Sequence, residues 1–290
     1  MNVNTFLSLT KSAGRKIILG TQTPKDFQIL QAGMKGLRDF FLAYSKNFSS
    51  QLGTTQKKII TEILSACQES VTRDSFQKVS SKLKEFSAQG INIIVRHPEP
   101  LLSSYNEQPG RNLKLRGVLQ VWNFDKFLGQ FLEAYDSVSV NFFCSDRKRT
   151  ILFAELCHHY LEKHAPQARL SSPQGVSILS AKSTVQDMKT RYPEYKAQIE
   201  DGKPRNMRKM KITREYFKRW IAESPLAQTT ANEVNALLNS FQNNTLNIYF
   251  THENIIGAYL YHKLNVPAEK TLIGFAHHVT VSPGNVYVRF

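Results

Sequence analysis

The strongest constraint on this sequence is a change in its hydrophobic pattern near residue 90. Before that point apolar residues recur at helical spacing, and after it short β-branched runs alternate with longer amphipathic stretches. Such alternation predicts an α/β fold, here a three-layer α/β/α sandwich with a mainly parallel central sheet. We therefore divide the chain into a helical N-terminal extension or cap over residues 1–90 and an α/β domain over residues 91–290.

The same pattern predicts the individual elements. In the N-terminal part the spacing indicates three helices, at 24–46, 57–68 and 74–87. Beyond residue 90 the apolar runs indicate four strands and a closing hairpin, at 91–95, 138–143, 168–170 and 246–250, with the hairpin at 279–281 and 286–290. Five further helices are expected between them, at 117–134, 150–163, 183–199, 208–241 and 255–264.

Charge and cysteine content exclude several classes of protein. The sequence has 38 Lys and Arg residues against 23 Asp and Glu, and the net charge of +15 favours an anionic partner. Three cysteines without a CxxC pair predict neither a disulfide framework nor a structural zinc site. No apolar run approaches the ~20 residues that a transmembrane helix needs.

The N-terminus lacks the pattern of a signal peptide, because Lys11, Arg15 and Lys16 interrupt its apolar residues. We expect a cytoplasmic or otherwise soluble protein, with export by a non-classical route left open. A nucleic-acid-binding protein would also use the positive charge. The sequence lacks the zinc spacing, glycine-rich loop and aromatic run typical of such proteins, so nucleic acid is not the expected partner.

Arginine and histidine residues follow three of the predicted strands. The first strand leads into Arg96 and His97, the second toward Arg149, and a later one into His252 and Glu253. Parallel strands present their carboxyl ends at one edge of a sheet, where α/β proteins bind ligands. Guanidinium groups match phosphate oxygens, and a histidine ring can act as a nucleophile. The sequence therefore predicts a site for phosphoryl transfer to histidine that needs no metal.

The order of these residues resembles the histidine phosphatase superfamily, the phosphoglycerate-mutase-like group, from about residue 91 onward. The signatures R-H-G-E-T and L-T-x-x-G-x-x-Q correspond to Arg96-His97-Pro98-Glu99-Pro100 and Leu113-Lys114-Leu115-Arg116-Gly117-Val118-Leu119-Gln120. The signature S-x-L-x-R-A-x-x-T-A-E corresponds to Ser145-Asp146-Arg147-Lys148-Arg149-Thr150, with Ala154-Glu155-Leu156 in register. The last signature, H-G-x-x-I-x-x-L, corresponds to His252-Glu253-Asn254-Ile255-Ile256-Gly257-Ala258-Tyr259-Leu260.

The resemblance implies a role for each matched residue. His97 is the implied nucleophile, which becomes phosphohistidine during the reaction. Arg96, Arg149 and His252 are the implied phosphate-binding residues. The resemblance implies neither a metal nor a cofactor.

Two departures from the family pattern concern the nucleophile loop and the general acid. Pro98 and Pro100 stand where the family has Gly and Thr, and Pro98 has no N–H with which to bind phosphate. The carboxylate that the family places after the second arginine helix is missing from residues 171–179. Glu253 is the candidate acid, because the acid phosphatase branch has an acidic residue directly after this histidine, and Glu99 is a second candidate.

The predicted function is a metal-independent phosphomonoesterase acting on a phosphorylated small molecule. A basic stretch over residues 203–219 lies where the resemblance implies a cover over the active site. Arg205, Arg208 and Lys209 are therefore candidates for substrate selection, and their charge favours a polyanion such as an inositol phosphate, a phosphoinositide headgroup or a nucleotide. The alternative is a catalytically inactive phosphatase-like module that binds a phosphorylated or acidic partner, which the prolines and the missing acid would favour.

Overall fold

The computed structural model describes residues 90–99, 115–133, 135, 137–199 and 207–288. The three helices predicted before residue 90 lie outside the described residues, and so do Pro100 and Arg205. The division of the chain at residue 90 therefore stays a prediction.

The described residues form seven strands and seven α-helices that alternate along much of the chain. The strands are β1 (Ile91–Arg96), β2 (Val138–Cys144), β3 (Ala168–Leu170), β4 (Gln174–Gly175), β5 (Thr245–Thr251), β6 (His278–Ser282) and β7 (Asn285–Val288). The helices are α1 (Leu115–Leu132), α2 (Lys148–His164), α3 (Lys182–Arg191), α4 (Pro193–Ile199), α5 (Met207–Glu223), α6 (Pro225–Leu238) and α7 (Glu253–Leu264). In this part of the chain no helix combines the length and apolar character needed to cross a bilayer.

All seven strands belong to one sheet, in the order β3-β2-β5-β1-β6-β7, with β4 also pairing with β2. The pairs that β5 makes with β1 and β2 are parallel, as are those of β2 with β3 and β4. Only β6 and β7 run antiparallel to their neighbours. This arrangement confirms the predicted mainly parallel sheet with a closing hairpin, and it places β5 between the two other strands whose ends carry the predicted site.

Alternate residues of the central strands face two separate hydrophobic cores. In β1, Ile91, Ile93 and Val95 pack with apolar residues of α1 and α2, whereas Ile94 packs with those of α6 and α7. A strand that is covered on both faces reads as a continuous apolar run, which is why β1 was recognisable in the sequence. Helices therefore cover both faces of the sheet, and the predicted three-layer α/β/α sandwich is confirmed.

Two of the predicted helices are interrupted at prolines. The helix expected over 183–199 is divided into α3 and α4 before Pro193, and the helix expected over 208–241 is divided into α5 and α6 before Pro225. Proline has no N–H for the helical ladder and disfavours helical geometry in the residue before it, so a new helix begins at each proline. At the second break Ser224 caps α6, since its hydroxyl accepts a hydrogen bond from the Leu226 amide at 3.2 Å.

Three asparagines form a hydrogen-bonded row across the central strands. Asn247 of β5 donates to Asn92 Oδ1 on β1 at 2.8 Å, and Asn141 of β2 donates to Asn247 Oδ1 at 2.9 Å. Asn92 in turn donates to the Leu238 carbonyl at the end of α6 at 2.9 Å. Because a shift of one residue would separate all three side chains, the row favours the register that aligns the three strand ends.

Replacing the central asparagine should destabilise the protein by about 1–3 kcal/mol, since Asn247→Leu leaves the buried Asn92 Oδ1 and the half-buried amide of Asn141 without their partners. The free energy of unfolding in urea measures this loss. Asn232→Leu, at an exposed position on α6, is the matched control. Equal losses in the two variants would show that the row does not contribute to stability.

Candidate active site

The carboxyl ends of β1, β5 and β2 lie side by side, and the residues that follow them form one site. The amide of His97, just beyond β1, donates to the Thr251 carbonyl of β5 at 2.9 Å. The amide of Ser145, just beyond β2, donates to the Phe250 carbonyl of β5 at 3.1 Å. Both hydrogen bonds extend the parallel pairing by one step, so the chain leaves the sheet at the same level in all three strands.

His97 is held as one particular tautomer. Its Nδ1 atom lies 2.8 Å from the carbonyl oxygen of Pro98, and a carbonyl oxygen can only accept, so Nδ1 carries the proton. In the neutral ring Nε2 therefore carries the lone pair. The ring is buried and packs edge-on against His252, with 5.1 Å between the centroids. This is the state that a nucleophilic histidine needs.

The loop after His97 is fixed by two residues of α1. The amide of Glu99 donates to Gln120 Oε1 at 2.9 Å. A Cβ atom at Gly117 would lie 2.3 Å from the Glu99 carbonyl oxygen, so this close approach requires glycine. The glycine and glutamine of the second sequence motif thus hold the loop after His97 against α1.

His252 contacts a guanidinium on one ring nitrogen and a hydroxyl on the other. Arg149 Nη2 lies 3.1 Å from His252 Nδ1, and Ser145 Oγ lies 3.0 Å from Nε2. Because a guanidinium can only donate, Nδ1 accepts, and Nε2 of the neutral ring donates to Ser145. Thr150 Oγ1 is 2.7 Å from the same hydroxyl and orients it. Sequence reasoning placed Ser145 and Thr150 in a motif and gave them no role; their match to that motif was the available signal.

Two helices begin at this edge of the sheet. Helix α2 starts at Lys148 after Arg147, with no acidic residue in its first turn, and α7 starts at Glu253 after His252. The positive ends of both helix dipoles therefore lie close to His252, which directly precedes α7 and contacts Arg149 in the first turn of α2. Unpaired amides at helix N-termini are ready-made ligands for an anion such as phosphate.

Burial and the surrounding positive charge keep both histidines neutral. Desolvation, followed by the charge of Arg149, holds the pKa of His97 well below its ordinary value. The same two causes hold the pKa of His252 well below its ordinary value, with a further contribution from Arg147. Burial lowers the pKa of Arg96 to about 10, against the opposing charge of Glu253, so this guanidinium stays charged at neutral pH.

Arg96 is enclosed by the chain between α7 and β6. It donates to the carbonyl of Ile273, and its guanidinium lies 3.9 Å above the centroid of the Phe275 ring. Its Nη2 atom lies 3.0 Å from Oε2 of Glu253. Arg214 Nε, from α5, lies 3.3 Å from the same carboxylate oxygen. Arg96 Nε is buried and makes no hydrogen bond to the described residues.

The structure brings together five of the residues that the sequence predicted, namely Arg96, His97, Arg149, His252 and Glu253. Of the predicted selectivity residues, Arg205 lies outside the described residues. Arg208 and Lys209 belong to the first turns of α5, and their side chains are not among those described. Within the described ranges, no group of three or more His, Cys, Asp or Glu side chains is arranged to hold a metal ion.

Comparison with known proteins gives matches among solved structures alone. No protein-family model matches the chain, and no curated protein sequence matches it. One similar structure is a phosphoglycerate mutase from Bacillus anthracis, with 14% identity over 70% of this chain and 93% of that chain and a TM-score of 0.39. A second is a phosphoglycerate mutase from Plasmodium falciparum, with 17% identity over 70% of this chain and 90% of that chain and a TM-score of 0.33. A third is a phosphoserine phosphatase mutant from Entamoeba histolytica in complex with phosphoserine, with 12% identity over 69% of this chain and 95% of that chain and a TM-score of 0.34.

These structures are of the kind that the sequence motifs resemble.

The two neutral histidines should make the folded state sensitive to acid. Their pKa values are lower in the folded than in the unfolded protein, so on acidification the unfolded state takes up protons first and stability falls. The loss is at most about 1.4 kcal/mol per histidine for each pH unit below ~6.5.

We expect the double variant His97→Gln, His252→Gln to lose less unfolding free energy than wild type between about pH 7.5 and about pH 5.5, as measured in urea. The control is the pair His158→Gln, His159→Gln on α2, whose rings are partly exposed. If the control variant reduced the pH dependence of the unfolding free energy as much as the double variant does, the buried neutral histidines would not be the source of that dependence.

Proposed function

We propose that the protein is a metal-independent phosphomonoesterase that uses His97 as its nucleophile. The observation that carries the proposal is the hydrogen bond from His97 Nδ1 to the Pro98 carbonyl, 2.8 Å long, in a buried site with two guanidinium groups. This bond leaves the lone pair on Nε2, and the depressed pKa of the ring keeps that lone pair available at neutral and mildly acidic pH.

In the first half of the proposed reaction, Nε2 of His97 attacks phosphorus and the bond from phosphorus to the ester oxygen breaks. The products are phosphohistidine and the free alcohol, which takes its proton from a carboxylic acid. Arg96, Arg149 and His252 bind the nonbridging phosphoryl oxygens. Fixed positive groups around a transferring phosphoryl stabilise the charge on its equatorial oxygens.

Two carboxylates are candidates for the acid, Glu253 and Glu99. One oxygen of Glu253 lies within ion-pair distance of both Arg96 and Arg214, so this carboxylate is already engaged in holding the two guanidinium groups. Glu99 is half-buried, follows the nucleophile by two residues and is close enough for its charge to act on Arg96. We therefore propose Glu99 as the acid and keep Glu253 as the second candidate.

In the second half, water attacks the phosphorus of phosphohistidine, and the carboxylate that served as acid takes the proton from that water. The bond from phosphorus to Nε2 breaks, which releases inorganic phosphate and restores the neutral ring. The Nδ1 hydrogen bond to Pro98 persists through both steps, so the ring keeps its orientation.

The proposed substrate class is a phosphorylated small molecule with further negative charge, such as an inositol phosphate, a phosphoinositide headgroup or a nucleotide. What supports this is the course of α5. Arg214 of this helix reaches the site at Glu253, and Arg208 precedes it by six residues, a rise of about 9 Å along the helix. Arg208 therefore belongs to the same helix that contacts the site through Arg214.

The alternative is a catalytically inactive module that binds a phosphorylated or acidic partner. Pro98 removes one backbone N–H from the nucleophile loop, and Glu253 is engaged by two arginines, so a site that binds phosphate without turnover would account for both features.

His97→Ala should lower phosphate release from 4-nitrophenyl phosphate by ~10³-fold or more without unfolding the protein, since no other group replaces the nucleophile. Release is measured with EDTA present over about pH 4–8, and thermal melting reports on folding. His164→Ala, at an exposed position on α2, is the matched control and should retain activity. Full activity in His97→Ala would refute the proposal, and a wild type that binds phosphate without turnover would favour the inactive module.

Arg205→Glu and Arg208→Glu should raise KM for an inositol phosphate at least about tenfold, while KM for 4-nitrophenyl phosphate stays nearly unchanged. The physical reason is that these charges would meet the outer phosphates of a polyanion rather than the reacting one. Lys263→Glu, exposed near the end of α7, controls for net charge. An equal rise in KM for both substrates would show that the basic stretch does not select a polyanion.

A further inference from the structure

We infer that Arg214, on α5, is a positioning residue for the phosphate site, acting on Arg96 through Glu253. This inference rests on the proposed function, since it concerns how the same site holds phosphate. Sequence reasoning treated Arg214 as one charge of the basic stretch and gave Glu253 the role of an acid. The contacts assign both residues to a chain of charges that ends at Arg96.

A single carboxylate oxygen joins the two arginines. Glu253 Oε2 lies 3.0 Å from Arg96 Nη2 and 3.3 Å from Arg214 Nε. The side chains of Arg96 and Glu253 are 6% and 12% exposed, whereas that of Arg214 is 44% exposed. Among the described residues Oε2 has no aligned hydrogen bond, so the contacts are ion pairs held by charge. This row of three charged side chains thus connects an exposed face of α5 to Arg96, the buried group proposed to bind phosphate.

Arg96 and Arg214 also donate hydrogen bonds to two consecutive backbone carbonyls. Arg96 donates from Nη1 to Ile273, and Arg214 donates from Nη2 to Leu272 at 2.7 Å. The same segment supplies Phe275, whose ring lies under the Arg96 guanidinium. Arg214 therefore fixes the segment against which Arg96 is packed, in addition to its contact with Glu253.

Removing Arg214 should weaken phosphate binding by two routes that act in the same direction. The segment from Leu272 to Phe275 loses an anchor, so the packing surface of Arg96 becomes less ordered. Glu253 loses its second cation, so its whole charge is directed at Arg96 and competes with phosphate for that guanidinium. Neither route involves proton donation to the leaving group.

This difference gives a test that separates positioning from acid catalysis. A general acid matters more for a poor leaving group than for a good one, because the poor one must be protonated as it departs. Removing a residue that positions phosphate should lower kcat/KM equally for substrates with good and with poor leaving groups. We would compare kcat/KM for 4-nitrophenyl phosphate and for a simple alkyl phosphate, and measure binding of inorganic phosphate by calorimetry.

The variants are Arg214→Met, Arg214→Lys, Glu253→Gln and the double variant Arg214→Met, Glu253→Gln. Arg219→Met is the matched control, since Arg219 is an exposed guanidinium on the same helix that pairs with Glu194 and Glu223. Thermal melting excludes unfolding as the cause of any change. If Arg214→Met were too unstable, Arg214→Lys, which keeps the charge and loses the second hydrogen bond, would be compared with Glu253→Gln instead.

The expected result is a roughly tenfold weaker phosphate Kd in Arg214→Met and in Glu253→Gln, with kcat/KM reduced equally for both leaving groups. Arg214→Lys should recover part of the loss. The double variant should lose less than the sum of the two single losses, because the contact between Arg214 and Glu253 is common to both variants and only the anchor at Leu272 is specific to Arg214. Arg219→Met should match wild type.

Three results would overturn the inference. They are an Arg214→Met variant that binds phosphate like Arg219→Met, additive losses in the double variant, or a loss in Glu253→Gln confined to the alkyl phosphate. A wild type that binds phosphate without turnover would end the proposed hydrolysis, and the binding data alone would then decide on Arg214. A wild type that binds no phosphate would overturn both proposals.

Discussion

The site depends on the central position of β5, which pairs in parallel with β1 on one side and β2 on the other. The carbonyls of Phe250 and Thr251, the last residues of β5, accept the amides of Ser145 and His97. Because of these two hydrogen bonds, the three segments that follow β1, β2 and β5 leave the sheet side by side. The helices that begin after β2 and β5, namely α2 and α7, therefore start at the same edge. Every group proposed to touch phosphate is attached within a few residues of this edge.

Bringing so many cationic groups into one buried site is unfavourable unless their charges are compensated. The structure limits the repulsion in two ways. Both histidines are neutral, because burial and the nearby arginines depress their pKa values. Glu253 contributes one negative charge between Arg96 and Arg214. The remaining positive charge, with two helix N-termini, is what an incoming phosphate dianion would neutralise.

The sequence predicted those features that are set by local pattern. The strands β1, β2 and β5 were visible as apolar runs. The polar residues at their ends could be predicted to lie together because parallel strands present their carboxyl ends at one edge of a sheet. The breaks before Pro193 and Pro225 were missed, although the prolines themselves were a sufficient signal. Contacts between distant parts of the chain, such as that of Arg214 with Glu253, leave no periodic trace, and only the folded arrangement of α5 against α7 brings them together.

The position of Glu253 at the first residue of α7 needs explaining, since a carboxylate there occupies a place where an anion would bind. The dipole of α7 stabilises a negative charge at that position, so the Glu253 carboxylate and a bound phosphate would both be stabilised by the same helix N-terminus. The conflict is resolved by the choice of partners. The carboxylate of Glu253 pairs with Arg96 and Arg214, whereas the hydrogen bonds of the two histidine rings are made with other groups. On this interpretation the carboxylate does not replace phosphate. It holds the guanidinium that phosphate needs, at the cost of lowering the net positive charge by one.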